Sequence, residues 1–317
     1  MAKYRHRLPQ LEGGLFLTDG GLETTLIFHK GVELPHFAAF DLLRTIEGRE
    51  MLRDYHVPYI EAARSNGYGF ILDGPTWRAS SDWGTKLGYS KEALAAVNRD
   101  AVALTLELRD AHETPAMPMV VSATLGPRGD GYVAGELMSA QEAQAYHAEQ
   151  IGVFADTEAD MLTAFTLTNT AEAIGIARTA KAAGMPVALS FTLETDGKLP
   201  TGDRLADAIG SVDAATGSYA AYYMINCAHP THFESTLREG GAWLKRLRGI
   251  RANASKRSHA ELNEAPDLDA GDPQELGAQY RSLLSSYPHI RIVGGCCGAD
   301  DRHIACIGTA CRHPAAA

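Results

Sequence analysis

Eight short apolar runs recur along the chain, most of them separated by longer amphipathic stretches, and this rhythm limits the fold more than any single motif. The runs are Gly14–Thr18, Tyr68–Asp73, Met119–Ala123, Met161–Leu167, Val187–Thr192, Tyr222–Asn226, Ile250–Asn253 and Ile290–Gly294. They are near-continuous rather than alternating, as strands buried on both faces of a parallel sheet must be. Helical character lies between them at Glu47–Asn66, Lys91–Glu113, Ala140–Glu158, Ala171–Ala183 and Pro273–Ser286. Gly67, Pro118, Gly184 and Pro186 mark passages from helix to strand. About eight β-then-α units predict an α/β fold, a (β/α)8 TIM barrel, over residues 1–317 as a single domain. A doubly wound open sheet is the alternative, but no G-x-G-x-x-G follows the first run. Ile250–Asn253 is the shortest run and only half apolar.

Charge and composition narrow the function classes. A formal net charge of −10 argues against nucleic acid, whose phosphates demand a basic face. No stretch of about 18 apolar residues predicts a membrane span, and MAKYRHRLPQ has no apolar segment behind it. A cytoplasmic protein is expected. Five cysteines, an odd number with two adjacent, suit a metal or reactive-thiol site better than a disulfide framework.

Cys227 closes the sixth run in MINCAHP, and Cys296 and Cys297 close the eighth in VGGCCGADD. On a barrel, strands six and eight bring all three thiols to one end. Gly294, Gly295 and Gly298 let the backbone aim two consecutive side chains at one point. Three thiolates with an open fourth position fit catalytic zinc, whereas a structural site would be closed by a fourth protein ligand. An incoming thiol would bind as thiolate and stay nucleophilic in so electron-rich a ligand set. That chemistry suits alkyl transfer to sulfur. Packing is the plainer role for Cys306 and Cys311, and a Cys296–Cys297 disulfide would be strained.

With Asp19-Gly20-Gly21 near the first run, NCAHP at Cys227 and GGCCG at Cys296 and Cys297, the chain resembles the homocysteine S-methyltransferase family from about Leu15 to Ile307. The resemblance implies a zinc-bearing barrel that passes a methyl group to homocysteine, yielding methionine. It implies Cys227, Cys296 and Cys297 as zinc ligands, and Asp19 and Gly20 as holders of the amino-acid end of homocysteine. Two departures stand out. Family members usually carry a glutamate at the end of the fourth strand for the homocysteine amine, where this chain has Phe165. The end of the second strand is also altered, reading LDGPTWRAS.

Asp73 is a candidate substitute carboxylate, although an Asp before Gly-Pro equally suits a turn cap. Trp77 is the preferred aromatic residue to face a methylated cation. Asn226 is expected to fix the loop carrying Cys227 by hydrogen bonds. Glu194 reads as a rim acid or a solvated one, and His229, His232 and His259 as ordinary loop residues. The expected partners are a small-molecule thiol and a free methyl donor, S-methylmethionine or S-adenosylmethionine. Alternatives are another thiol acceptor, onium demethylation, or a zinc- or thiol-binding protein without turnover. Oligomeric state is not legible.

Overall fold

The computed structural model describes residues 1–312. The eight apolar runs form strands β1 (Phe16–Leu17), β2 (Gly69–Asp73), β3 (Met119–Leu125), β4 (Met161–Leu167), β5 (Val187–Phe191), β6 (Tyr222–Asn226), β7 (Leu247–Ala252) and β8 (Ile292–Gly295). Each pairs in parallel with the next, and β8 pairs with β1, so the sheet closes into a barrel. Eight helices of nine residues or more return the chain between strands and after the last: α1 (Ile46–Asn66), α2 (Lys91–His112), α3 (Ala140–Ala155), α4 (Thr170–Ala182), α5 (Leu205–Thr216), α6 (Pro230–Arg238), α7 (Pro273–Ser286) and α8 (Asp301–Ala310). The (β/α)8 expectation holds. No described helix is long and apolar enough to cross a membrane.

Two strands differ from expectation for a physical reason. β1 is reduced to Phe16–Leu17, the residues that pair with both β2 and β8. β7 begins at Leu247, ahead of the apolar run: Arg251 breaks its hydrophobic pattern but keeps its pairing with Asn226 and Gly294, whereas the register with β6 shifts at Arg248. Helix ends follow local chemistry. Ser139 and Glu142 form a reciprocal capping box at the start of α3. That helix stops at Ala155 rather than Glu158, where the Thr157 amide and hydroxyl both turn back to Phe154 O.

The barrel interior is packed. Phe16, Ile71, Val120, Met161, Ala188, Tyr222, Met224 and Ile292 form one apolar cluster, with Leu8 beneath it. Gln10, in the turn Pro9–Leu11, closes the N-terminal end, its Nε2 3.1 Å from Met161 Sδ. Two residues further along the same inward-facing rows, polar groups replace apolar ones: Asp73 after Ile71, Asn226 after Met224 and Arg251 after Gly249. The strand period itself therefore builds a polar floor at the C-terminal mouth.

The β1 and β8 loops are zipped together there. Gly21 N donates to Ala299 O at 2.8 Å and Gly295 N to Asp19 O at 2.9 Å. A Cβ on Gly21 would lie 2.6 Å from Cys296 O, so only glycine fits this approach. Gly152, exposed in α3, has nothing within 4 Å of the same position. Urea unfolding should therefore show Gly21→Ala destabilised by about 1–3 kcal/mol through overpacking. Gly152→Ala should be stabilised by roughly 0.5–1 kcal/mol through helix propensity. Equal shifts for the two variants would contradict the close approach.

Candidate metal centre

The three expected thiols converge at the mouth of the barrel, their sulfurs all within 4.8 Å of one another. Cys227 leaves β6 in the left-handed region, with φ 52°, so its side chain turns back across the barrel rather than continuing the strand alternation. Its backbone is held on both sides. Cys227 N donates to Arg251 O at 3.1 Å, and Cys227 O receives His259 Nε2 at 2.6 Å. Cys296 N donates to Ala252 O at 2.8 Å, and Ala254 N to Cys297 O at 3.1 Å, so β7 sets the pose of both adjacent cysteines. Gly298 then takes φ 78° and lets the chain turn into the next loop.

The structure joins Cys227 and Cys296 as a disulfide and leaves Cys297 a free thiol, 4.0 Å from Cys227 Sγ. Against expectation, then, two of the five cysteines pair, and the bond is not between the adjacent ones. This state and metal binding exclude each other, because ligation needs all three as thiolates. The donor set nevertheless fits a metal. A tetrahedral site with Zn–S bonds of about 2.3 Å places sulfurs roughly 3.8 Å apart, within the spread seen here. Burial pushes the Cys297 thiol up to about 11, so at neutral pH it needs a bound cation to ionise. Cys306 and Cys311 lie in and just after α8, away from the cluster, and Cys311 belongs to the core.

Asn226 bonds to β4 and β5 and not to the loop after Cys227. Its Oδ1 accepts from Thr166 N at 2.9 Å and Ser190 Oγ at 2.7 Å, and its Nδ2 donates to Thr166 Oγ1 at 2.9 Å. One side chain thus ties β4 and β5 to the cysteine-bearing end of β6, and holds Thr166 at φ 60°. Tyr132 was not anticipated. Its hydroxyl lies 2.9 Å from Cys297 Sγ and 3.8 Å from Cys227 Sγ, and its ring stacks on His259 with centroids 4.3 Å apart. Asp130 holds that loop by accepting from Tyr132 N at 2.8 Å. Glu194 lies 3.2 Å from His259 Nδ1 and lines no part of the pocket. His229 and His232 likewise serve locally, at the start of α6 and against Lys256 O.

The cysteines open into a cavity of about 160 Å³ that Asp19, Gly20, Asp73, Trp77, Phe165 and Asn226 also line. The residue that organises it is Arg251, from the least marked strand. Its Nη2 lies 2.6 Å from Asp19 Oδ1 and donates to Gly20 O at 2.8 Å. Nη1 donates to Asp73 Oδ2 at 2.7 Å, and Nε to Gly295 O at 2.9 Å. Its guanidinium also rests over the Phe165 ring, 4.8 Å from the centroid. Asp73 is therefore an ion-pair partner and not a turn cap. Asp19 shares the same guanidinium, and Asp73 Oδ1 accepts no hydrogen bond among the described residues. Trp77 does line the pocket, but the guanidinium of Arg78 already lies 3.9 Å from its ring centroid. Glu23, half-buried in the lining, forms no ion pair among the described residues. Burial raises its carboxyl to about 7, with nearby Asp19 adding to the effect.

A family model for homocysteine S-methyltransferases matches residues 16–311. The chain belongs to the homocysteine S-methyltransferase family. It is by that membership an S-methyltransferase, an enzyme acting on small molecules. A selenocysteine Se-methyltransferase of Brassica oleracea var. italica is 23% identical over 308 residues, covering 90% of this chain and 85% of the relative. The crystal structure of the homocysteine methyltransferase MmuM from Escherichia coli in its oxidized form superposes with a TM-score of 0.77 at 21% identity, covering 97% of this chain and 99% of that one. Its metallated form gives 0.72 at 21% identity, covering 96% and 99%.

Asp73 supplies a pH test. Burial lifts its carboxyl to about 7 against the opposing pull of Arg251, and Asp19 beside the same guanidinium adds repulsion. An acid raised in the folded state stabilises the fold while protonated. That contribution is full below about 3.8 and is lost as pH rises to about 7. Asp73→Asn has no such proton to lose. The melting temperature of the wild type relative to Asp73→Asn should therefore fall between pH 4.5 and 7.5, and parallel profiles would show that Asp73 titrates normally.

Proposed function

We propose that this chain, working as a single barrel domain, moves a methyl group from a small onium donor to the thiol of homocysteine and so forms methionine. Zinc held by Cys227, Cys296 and Cys297 is the proposed cofactor, with S-methylmethionine or S-adenosylmethionine as donor. The observation that carries this reading is the convergence of three thiols, from two strands far apart in sequence, on one substrate-sized cavity. The E. coli relative, known in metallated and oxidized forms, supports a centre that exists in both conditions.

Zinc bound there would ionise an incoming thiol at neutral pH and leave it nucleophilic. The chain's own residues bind and orient. Asp19, Glu23, Asp73 and Asp130 face Arg78 and Arg251 across the lining, four carboxylates against two guanidiniums, which favours a cationic donor. Arg251 pairs with Asp19 and Asp73, and Glu23, half-buried and without an ion pair among the described residues, is the acid offered to the acceptor's ammonium. The Tyr132 hydroxyl, lying beside Cys297 and Cys227, shields the sulfurs from water and has to move aside for the acceptor. Transfer then needs only alignment: the acceptor sulfur forms its bond to the methyl carbon as the donor's sulfur–carbon bond breaks, with no covalent protein intermediate.

Phe165 favours a second reading, methyl transfer to another thiol or a selenol, or demethylation of an onium compound. Its apolar ring stands where the family's ammonium-binding glutamate is expected. The two readings separate in one assay. Protein reduced with a thiol-free reductant and reconstituted should hold close to one zinc per chain by elemental analysis. It should then convert homocysteine to methionine with at least one of the two donors. Cys297→Ser should lose most of the metal and lower kcat at least roughly 100-fold. Turnover of a different thiol with no methionine formed would replace the first reading by the second.

A further inference from the structure

Two guanidiniums line the cavity, and the protein treats them differently. Arg251 is matched by two carboxylates and two carbonyls. Arg78, only 5% exposed, has no ion pair among the described residues. Its single hydrogen bond to protein there runs from Nη1 to Gly129 O at 2.8 Å, and its buried Nε has no partner. The charge is held instead by aromatic faces, with the guanidinium carbon 3.9 Å from the Trp77 ring centroid and 4.0 Å from that of Trp83. This arrangement is built rather than incidental. Trp77 can lie in the wall because Gly126 and Gly131 have no Cβ; one on Gly131 would come within 2.9 Å of the indole. Leaving a desolvated guanidinium short of acceptors is costly, and its planar fork matches a carboxylate.

We propose that Arg78 is the specificity-determining residue that binds a carboxylate borne by one of the two substrates of the methyl transfer. The inference rests on the function proposed above, and it reverses the sequence expectation for Trp77. Trp77, which looked suited to a methylated cation, already faces with Trp83 a cation of the protein's own. What this wall offers a ligand is therefore positive charge. Burial lowers Arg78 to about 10, with Asp130 and Glu23 acting on it from a distance in the opposite direction, so it remains charged at neutral pH. A free amino acid would present its carboxylate to Arg78 and its ammonium to Glu23, a lining acid that likewise has no ion pair among the described residues. Acceptor and donor both can carry such a head group.

The test compares acids with their carboxamides on zinc-loaded protein. Calorimetric affinities are measured for homocysteine and its carboxamide, and for S-methylmethionine and its carboxamide, with wild type, Arg78→Gln and Arg78→Lys. Wild type should prefer the acid roughly tenfold or more in one series, and that series identifies the substrate whose carboxylate is held. Arg78→Gln should abolish the preference while keeping zinc content and melting temperature. Arg78→Lys should keep part of it, since a point charge replaces the fork. In turnover the same substrate's KM should rise with kcat little changed. Should Arg78→Gln fold poorly, the wild-type comparison and Arg78→Lys still decide. Equal binding of acid and amide by wild type, or an unchanged preference in either variant, overturns the proposal and leaves Arg78 a clamp on the Gly129 loop. Because binding is read without turnover, carboxylate selectivity lost with Arg78 but no methionine formed would refute the proposed reaction and not this inference.

Discussion

One buried guanidinium sets the mouth of this barrel. Arg251 reaches from β7 to the carboxylates after β1 and at the end of β2, and to the carbonyls of Gly20 and Gly295 beside β1 and β8. These contacts cross the seam where β8 meets the short β1, so they brace the part of the sheet with the fewest ladder bonds. A charge this deep is tolerable only with its partners in place, because removing one side strands the other in a medium of low polarity. Three acids crowd around it, and burial, together with the excess negative charge, raises the carboxyls of Asp73 and Glu23 to about 7.

The cysteines depend on this frame. Cys296 and Cys297 follow the carbonyl that Arg251 Nε grips, and Cys227 hangs from the Arg251 carbonyl. Side chain and backbone of one residue therefore fix the start of both cysteine-bearing turns. Asn226 completes the support from the β4 side. The left-handed backbone at Cys227 and Thr166 is strained for non-glycine residues, and it persists because these hydrogen bonds over-determine it.

The barrel and its sulfur cluster were legible in sequence for a simple reason: both are written in local patterns. Apolar runs closed by turn residues mark strands, and cysteines placed at two strand ends in register must meet. The charges were not legible. Arg251 lay in the run with the poorest apolar signal, and its importance comes from groups more than 170 residues away along the chain, such as Asp73. Tyr132 sits in a loop with no period to read, and only the Gly-Asp-Gly turn before it hinted at a fixed conformation. Trp77 was seen as an aromatic face without its occupant, because the residue next to it in sequence folds back over it. Sequence shows which side chains are present at the mouth, but pairing decides which remain free.

The division of the mouth into sectors has an evolutionary consequence. The sulfurs come from β6 and β8, while Trp77, Arg78, Tyr132 and Phe165 come from the turns and ends of β2, β3 and β4. Drift in these four side chains leaves in place Arg251 and Asn226, which pose the cysteine-bearing turns. Chains of this architecture can therefore exchange one small molecule for another without rebuilding their reactive centre. Divergence in substrate among relatives as distant as these is then an ordinary outcome of where the barrel keeps its parts.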